Sequence, residues 1–144
     1  MIGYDGFKHK KGSKIHVCVD EDSMPLSISL GPANEHDSKM LIPLVLKLKN
    51  KPNEIYADSM YDNNKIREKL ESMNIKPNIP INPRNGRKSK PYNIRIYKKM
   101  RSAVERFFAW LKSFRRIILR YEKIAIMYIA LIKLACIMIY LRYI

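Results

Sequence analysis

The most regular hydrophobic pattern in this chain runs from Arg101 to Arg116. Its apolar residues recur at spacings of three and four, as Val104, Phe107, Phe108, Leu111 and Phe114. An α-helix turns once in about 3.6 residues, so this spacing places them on one side of a helix. The pattern predicts an amphipathic helix that buries this side in a core.

Near the N-terminus, a period of two predicts a β-hairpin. Apolar and polar residues alternate over 15–20 and again over 26–30, and residues 21–24 between them suit a turn. A helix is then predicted from Asn34 or Asp37, either of which can cap its start, to about Lys49.

The middle of the chain predicts a strand, a helix and a second strand. Ile55 to Ala57 form the first strand, and a helix follows from Tyr61 to Met73 with Asp62 as its expected cap. The second strand, Ile75 to Ile81, contains two prolines. Because proline donates no ladder hydrogen bond, this strand is expected at a sheet edge.

An apolar run from Ile124 to Leu141 lies near the end of the chain, and Lys133 is its one charged residue. The run is close to the ~20 residues that cross a bilayer. A lysine near the middle of a lone span costs roughly 2.5–3.5 kcal/mol, whereas a core helix lets that side chain reach the surface. We therefore expect a buried helix and no membrane partner.

Composition indicates one basic globular domain over residues 1–144. Lys and Arg number 28 against 13 acidic residues, a formal net charge of +15, and 47% of residues are hydrophobic. This excess favours nucleic acid as the partner.

Cys18 and Cys136 lack metal-ligand spacing, so we expect buried free thiols in a reducing cytoplasm. The polar opening, residues 1–12, is unlike a signal peptide.

Glu105 stands between two cations on the polar side of the C-terminal amphipathic helix. Arg101, Glu105 and Lys112 are separated by four and seven residues, so they share one stripe. Taken alone, such a stripe is most often a solvated, salt-bridged face.

Asp58 is the second candidate for chemistry. It follows the predicted strand at 55–57 and precedes a helix. Open α/β sheets bind ligands beyond the C-terminal ends of their strands. Taken alone, a helix cap or turn residue is the commoner role for an aspartate in this position.

A basic loop precedes the helix of Glu105. Its cations are Arg84, Arg87, Lys88 and Lys90. We expect them to contact DNA phosphates and to position DNA without reading its sequence. The alternative is a solvated connection.

Two further polar groups are expected to be structural. Asp20, Glu21 and Asp22 lie in the hairpin turn, where carboxylates are usually solvated. His36 and Asp37 stand at a helix start, where they can satisfy unpaired backbone N–H groups.

Together these motifs resemble the catalytic domain of DDE-type insertion-sequence transposases. The resemblance rests on Arg-x3-Glu-x6-Lys followed by RRIILRYEK, on Ala-Asp-x-x-Tyr at 57–61 and on Asn-x-His-Asp at 34–37. It implies that Asp58 and Glu105 are the second and third catalytic, metal-binding carboxylates, and that Arg101 and Lys112 approach DNA phosphates.

A tyrosine that many members carry three residues before the arginine is shifted in this chain. Lys98 stands at that position, and the nearest tyrosine, Tyr97, lies about 100° away around a helix. We therefore do not assign Tyr97 the family role.

The resemblance also implies a fold and a reaction. The fold would be α/β and ribonuclease-H-like, a mixed sheet flanked by helices, incomplete at the N-terminus and ending in two long helices. The reaction would be metal-dependent cleavage and strand transfer of double-stranded DNA, at element ends and target, with Mg²⁺ or Mn²⁺ held by carboxylates.

One part of the family pattern is missing. The first catalytic Asp of the family lies on a strand before the glycine-rich lead, and this chain begins within that lead; Asp5 is not assigned the role. Two origins of the chain are left open: a frameshifted gene and a decayed gene. Its protein partner would be an upstream-frame polypeptide or a second copy in a homo-oligomer. We expect little cleavage by this chain alone. The alternative functions are a non-catalytic basic DNA-binding or regulatory protein and a small membrane-anchored protein.

Overall fold

A computed structural model of the chain describes residues 3–5, 10–86, 88 and 92–143. These residues form five strands: β1 (Gly3–Asp5), β2 (Lys10–Val19), β3 (Pro25–Pro32), β4 (Glu54–Tyr56) and β5 (Lys76–Asn78). The helices are α1 (Ser38–Leu46), α2 (Asn64–Ser72), α3 (Ile94–Lys112), α4 (Arg115–Ile118) and α5 (Ala125–Tyr143), with short 3₁₀ turns at Ser59–Tyr61 and Pro83–Asn85.

The predicted hairpin is confirmed as β2 and β3. They pair antiparallel from Lys14 opposite Gly31 to Cys18 opposite Ser27, with an irregularity between Cys18 and Val19. The short strand β1 pairs antiparallel with the opposite edge of β2, over 10–12.

Strands β4 and β5 form a separate parallel pair. We expected one mixed sheet, and this part of the prediction is not confirmed, because the described strands form a three-stranded and a two-stranded sheet. The α/β composition is confirmed. Pro77 lies in β5, which pairs only with β4, so the described part of the chain places this strand at an edge, as predicted.

Helices pack on both faces of strand β2, because alternate residues of a strand point to opposite sides. Cys18 faces a first core made by α1, α2, β4 and the residues on either side of β5. Ile15, Val17 and Val19 face a second core made by α3, α4 and α5. The alternation read from the sequence thus places β2 between two layers of helices.

The helix of Glu105 differs from its predicted bounds. Asn93 caps α3, since its side chain accepts from the backbone N–H groups of Arg95 and Ile96, and the helix therefore begins well before Arg101. It ends at Lys112, because the chain is extended at Phe114 before the short helix α4. The predicted apolar side is confirmed in part, with Phe107 and Leu111 fully buried.

Helix α2 also starts later than predicted. Asn63, and not Asp62, is its cap and accepts from the backbone N–H of Lys65 at 2.9 Å. Asp62 instead forms a buried ion pair with Arg67, whose Nη2 lies 2.9 Å from Asp62 Oδ1. The sequence pattern did not predict this pair.

The C-terminal apolar run forms α5, whose buried side belongs to the second core. By length and composition alone α5 could cross a bilayer, and a core helix of a soluble protein can satisfy the same criterion. Its contacts with the rest of the domain include the stacking of Trp110 on Tyr143, with ring centroids 4.3 Å apart, and a hydrogen bond from the Tyr140 hydroxyl to the carbonyl of Pro25 at 2.7 Å.

Candidate functional site

Asp58 follows β4 directly and opens a 3₁₀ turn at 59–61. Its side chain makes no capping hydrogen bond to the turn, although it occupies the cap position. Its Oδ1 accepts a hydrogen bond from the hydroxyl of Ser59 at 3.1 Å, and the residue is exposed. The carboxylate of Asp58 is therefore not used to cap the turn.

Glu105 projects from the exposed side of α3, midway along the helix. Three bonds connect α3 to the hairpin turn. Lys99 Nζ lies 2.9 Å from Glu21 Oε2, and Arg106 Nε donates to Ser23 Oγ at 3.0 Å. Arg106 also donates to the backbone carbonyl of Glu21 at 3.1 Å. In the sequence, these bonds are signalled only by a basic residue, Arg106, directly after Glu105. The sequence does not indicate which residues Arg106 contacts.

Asp58 and Glu105 line the same cleft, which has a volume of about 560 Å³. Residues of β2, α1, β4 and α3 form its walls. They include Val17 and Cys18 from β2, Leu44 and Val45 from α1, Ile55 and Tyr56 from β4, and Met100, Arg101 and Val104 from α3. The lining is largely apolar, and Asp58 and Glu105 are among its acidic side chains.

Arg101 interacts with both carboxylates. Its Nε donates to Glu105 Oε1 at 3.3 Å. This hydrogen bond, followed by the charge of Asp58, raises the pKa of Arg101 above its ordinary value. Arg101 therefore bonds to Glu105 directly and interacts with Asp58 through its charge alone.

Two tyrosines border this acidic part of the cleft. Burial, and then the charge of Asp58, raises the pKa of Tyr97. Burial raises the pKa of Tyr61 to about 12, with Asp37 and Asp58 adding to the effect. Both hydroxyls are therefore protonated at neutral pH and can donate hydrogen bonds. Tyr97 lies in the cleft although its sequence position argued against the family role.

The described residues do not make a complete site for a divalent cation. They contain no group of three His, Cys, Asp or Glu side chains that could hold one. Asp20 and Glu21 also line the cleft, but Asp20 Oδ1 accepts from the backbone N–H groups of Asp22 and Met24, and Glu21 pairs with Lys99. The carboxylates of Asp20 and Glu21 are therefore already engaged by other groups.

Three of the polar groups expected to be structural make such contacts, although Asp37 does not cap α1 with its side chain. Asp20 closes the hairpin turn through the two backbone bonds described above. Asp37 pairs with Lys14, whose Nζ lies 3.0 Å from its Oδ1. His36 Nδ1 lies 2.7 Å from the Ser38 hydroxyl at the start of α1.

The cations expected to contact DNA are exposed where the structure describes them. Arg84 and Lys88 are exposed in the loop before α3, and Arg101 and Lys112 are exposed on α3. Arg87 and Lys90 lie outside the described residues. Lys112 ends α3, two turns beyond Glu105, and does not line the cleft.

Comparison with known proteins gave a family and two relatives. A family described as the transposase DDE domain matches residues 2–140. A Burkholderia cepacia protein named as the transposase for insertion sequence element IS402 is 32% identical over 140 residues, 90% of this chain and 63% of that protein. The chain thus spans less than two thirds of that relative.

The second relative is closer in length to this chain. It is a Brucella ovis protein named as the transposase for insertion sequence element IS6501, and it is 36% identical over 131 residues, 90% of this chain and 98% of that protein. No solved structure gave a significant match.

Proposed function

Because this chain belongs to the DDE transposase family, we propose that it acts in DNA transposition as the part of a transposase that carries two of the catalytic carboxylates. Asp58 and Glu105 are those carboxylates. The substrate is double-stranded DNA, at the ends of the element and at its target.

One observation supports this proposal most directly. Asp58 and Glu105 are far apart in the sequence, yet both line one cleft, and Arg101, which bonds to Glu105, lines it with them. The Asp58 carboxylate does not cap its turn. The Arg101–Glu105 pair is too exposed to add much stability. A structural role therefore explains neither carboxylate well.

A divalent cation of the Mg²⁺ or Mn²⁺ type, when bound between carboxylates, makes the attacking hydroxyl more acidic and neutralises the leaving oxygen. Asp58 and Glu105 can supply oxygen ligands of the hard type that such ions prefer. Because the described residues offer no third carboxylate to this set, we assign no cleavage step to the isolated chain.

Cations near the two carboxylates would hold the DNA backbone. Arg101 lines the cleft itself. Arg84 and Lys88 are exposed on the loop before α3, and Lys112 is exposed at the end of α3, the helix of Glu105. Together with Arg87 and Lys90 they would bind phosphates on either side of the scissile bond. The net charge of +15 supports such a polyanionic partner.

The helices on both sides of β2 and the antiparallel hairpin support a ribonuclease-H-like arrangement as the fold of the complete domain. We propose residues 1–144 as one partial catalytic domain of a cytoplasmic, nucleoid-associated protein. Its protein partner would be an upstream-frame polypeptide or a second copy.

A second function is favoured by the incomplete ligand set. With two carboxylates and a strong positive charge, the chain could bind DNA without cutting it, as a regulator derived from a transposase gene. Such a protein needs its cations and does not need Asp58 or Glu105.

A Mn²⁺ titration separates the two functions. The wild-type chain is compared with Asp58→Asn and Glu105→Gln by calorimetry, and Glu68→Gln, which changes an exposed glutamate of α2 outside the cleft, is the matched control. If the carboxylates belong to a catalytic site, both cleft variants weaken Mn²⁺ uptake and Glu68→Gln does not. Equal uptake by all four proteins would leave only the DNA-binding function.

A cleavage assay tests the expected inactivity. The purified chain is incubated with the terminal DNA of its element and with Mg²⁺ or Mn²⁺. We expect binding without cleavage. Robust turnover that Glu105→Gln abolishes would show that the chain is a complete enzyme.

A further inference from the structure

We propose that the outer face of α5 is a dimerisation surface, on which α5 of a second copy of this chain packs in the antiparallel orientation. The outer face is the exposed side of the helix, and its large apolar residues are Ile126, Met127, Leu134, Ile137, Met138 and Leu141. Dimerisation through this face does not require Asp58 or Glu105 to bind a metal ion.

Helix α5 is apolar on both of its sides. Tyr128, Ile132 and Ile139 are buried on its inner side, which packs against β3, α3 and α4. An ordinary surface helix has polar residues opposite its buried side. The outer face of α5 is apolar instead, and the two cations of the helix, Lys133 and Arg142, lie at the edges of this face. A helix that is apolar all round is normally covered on every side.

The outer face is also large for a surface that faces water. Its six large apolar residues are each between 52% and 74% exposed. Together they present on the order of 600 Å² of apolar surface, the upper limit of the ~300–600 Å² that the largest patch on a typical monomer reaches. A stable protein interface buries about 800 Å² on each partner. The outer face can therefore supply most of one side of a dimer interface.

The spacing of residues on the outer face matches helix-to-helix packing. Intervals of three, four, three and four residues separate Met127, Ala130, Leu134, Ile137 and Leu141, and all five are exposed. This alternation is the spacing at which the side chains of two long helices interlock. A lipid surface or a small ligand needs no such spacing, so the pattern favours another helix as the occupant.

The same face of a second copy fits this row of residues. If two α5 helices run antiparallel about a two-fold axis between Leu134 and Ile137, Leu134 lies opposite Ile137 of the second copy. Ala130 then lies opposite Leu141 of the second copy, and a small residue facing a large one fills the space between the helices. A parallel pair would set Ala130 against its own copy and leave a gap. Two-fold symmetry lets one surface serve both partners.

The charge of the chain determines how salt affects this dimer. Each copy has a formal net charge of +15, so two copies repel each other, and salt screens the repulsion. The dimer should therefore become more stable as the salt concentration rises, whereas binding to DNA weakens. A dimer that dissociates as salt is added would contradict an apolar interface.

Sedimentation velocity of the complete chain measures the association. We expect the wild type to dimerise. Leu134→Glu places a carboxylate from each copy in the interface and should raise the dissociation constant about a hundredfold or more. Leu46→Glu on α1 is the matched control, because Leu46 is 59% exposed and Leu134 is 54% exposed, and it should dimerise like the wild type. A monomeric wild type, or equal dissociation constants for the two variants, would overturn the proposal.

Disulfide cross-linking tests the antiparallel orientation with substitutions that add no charge. Chains with Ala130→Cys and chains with Leu141→Cys are oxidised separately and as a mixture with copper–phenanthroline. Burial raises the pKa of Cys18 and of Cys136 to about 11, so at neutral pH the introduced thiols react first. The mixture should give a covalent dimer joined from 130 to 141. Equal cross-linking in all three samples, or in none of them, would contradict the antiparallel dimer.

A lipid surface is the other partner that an apolar helix face with cations at its edges could contact. The wild type and Leu134→Glu are sedimented with neutral phosphatidylcholine vesicles, on which the net charge of the chain has no counterpart. We expect neither protein to bind, because the outer face is covered in the dimer. Vesicle binding by a monomeric wild type that Leu134→Glu abolishes would identify a membrane surface and exclude the dimer.

Discussion

Arg101 Nε donates to Glu105 Oε1 at 3.3 Å along one face of α3, although 60% of the arginine side chain and 66% of the glutamate side chain remain exposed. An exposed pair at this spacing contributes little to stability, because water and salt screen it. What distinguishes this pair is its place beside Asp58 in the cleft.

We therefore predict that Glu105→Gln changes function and not folding. The free energy of unfolding should change by no more than about 0.5 kcal/mol, as for other exposed pairs. Urea unfolding of the wild type, Glu105→Gln and the control Glu68→Gln measures this. A loss several times larger would make Glu105 a structural residue and weaken its assignment as a metal ligand.

Unlike the exposed pair of Arg101 and Glu105, the buried pair of Asp62 and Arg67 is expected to stabilise the fold. Arg67 donates from Nε and Nη2 to Asp62 Oδ1 and also to the carbonyl of Ile79 at 2.6 Å. Asp62 Oδ2 accepts from the backbone N–H of Asn82 at 3.0 Å. The pair thus joins α2 to the segment that leads into the basic loop.

Removing one member of this pair should destabilise the domain strongly. Arg67→Met leaves the Asp62 carboxylate buried without its cation, and such changes cost about 3–5 kcal/mol. Urea unfolding measures the loss, and Lys69→Met, an exposed change on the same helix, is the control. Equal midpoints for the two variants would contradict a structural role for the pair.

Salt dependence tests the contact of the basic loop with DNA. Each phosphate contact contributes about one unit to the slope of log K against log salt. Lys88→Ala and Arg87→Ala should therefore each lower the slope by about one, measured by fluorescence anisotropy on duplex DNA over a range of salt concentrations.

The control for that measurement is Lys69→Ala, an exposed lysine of α2 outside the loop and α3. It removes the same charge from another surface of the domain. A slope that stays at the wild-type value in the loop variants would mean that the loop does not touch phosphate.

We predict that the domain loses stability in mild acid because His16 is buried. Burial lowers its pKa below the ordinary value of 6.5, and the charge of Asp37 partly opposes this effect, while Lys14 adds to it and Glu35 opposes it. The unfolded chain therefore binds a proton near pH 6.5 that the folded chain does not yet bind. Stability is complete above pH 6.5 and falls as the pH drops towards the lower folded-state pKa.

Replacing His16 should remove this part of the pH dependence. We expect His16→Gln to lose less stability than the wild type between about pH 7.5 and pH 5.5, because it has no imidazole to protonate. Chemical unfolding at both pH values measures the difference, and His36→Gln, at an exposed histidine, should behave like the wild type. Parallel losses in all three proteins would exclude His16 as the cause.

Hydrophobic patterns predicted the secondary structure well where either the period of a strand or that of a helix was clear. The alternation at 15–20 and 26–30 became β2 and β3, and the helical spacing around Phe107 and Leu111 became the buried side of α3. Helix boundaries were less accurate, because caps decide them. Asn93 and Asn63 provide those caps, and a single polar side chain is a weak signal beside several equivalent neighbours.

The chemistry was only partly accessible from the sequence. The short motifs around Asp58 and Glu105 were sufficient to indicate the family, and the family is confirmed. That these two residues are the catalytic ligands stays a prediction. The approach of Tyr97 to Asp58 and the links from α3 to the hairpin turn through Lys99 and Arg106 join residues distant in sequence, which local spacing does not indicate.

The sequence by itself determined the order of strands and helices, the positive charge and the family, because these depend on local periodicity, composition and short motifs. Tertiary structure decided that Asp58 and Glu105 line one cleft and that Asp62 is buried against Arg67. Such relationships arise when helices and strands pack their apolar faces together. Packing brings distant residues into contact by shape and burial, which spacing along the chain does not record.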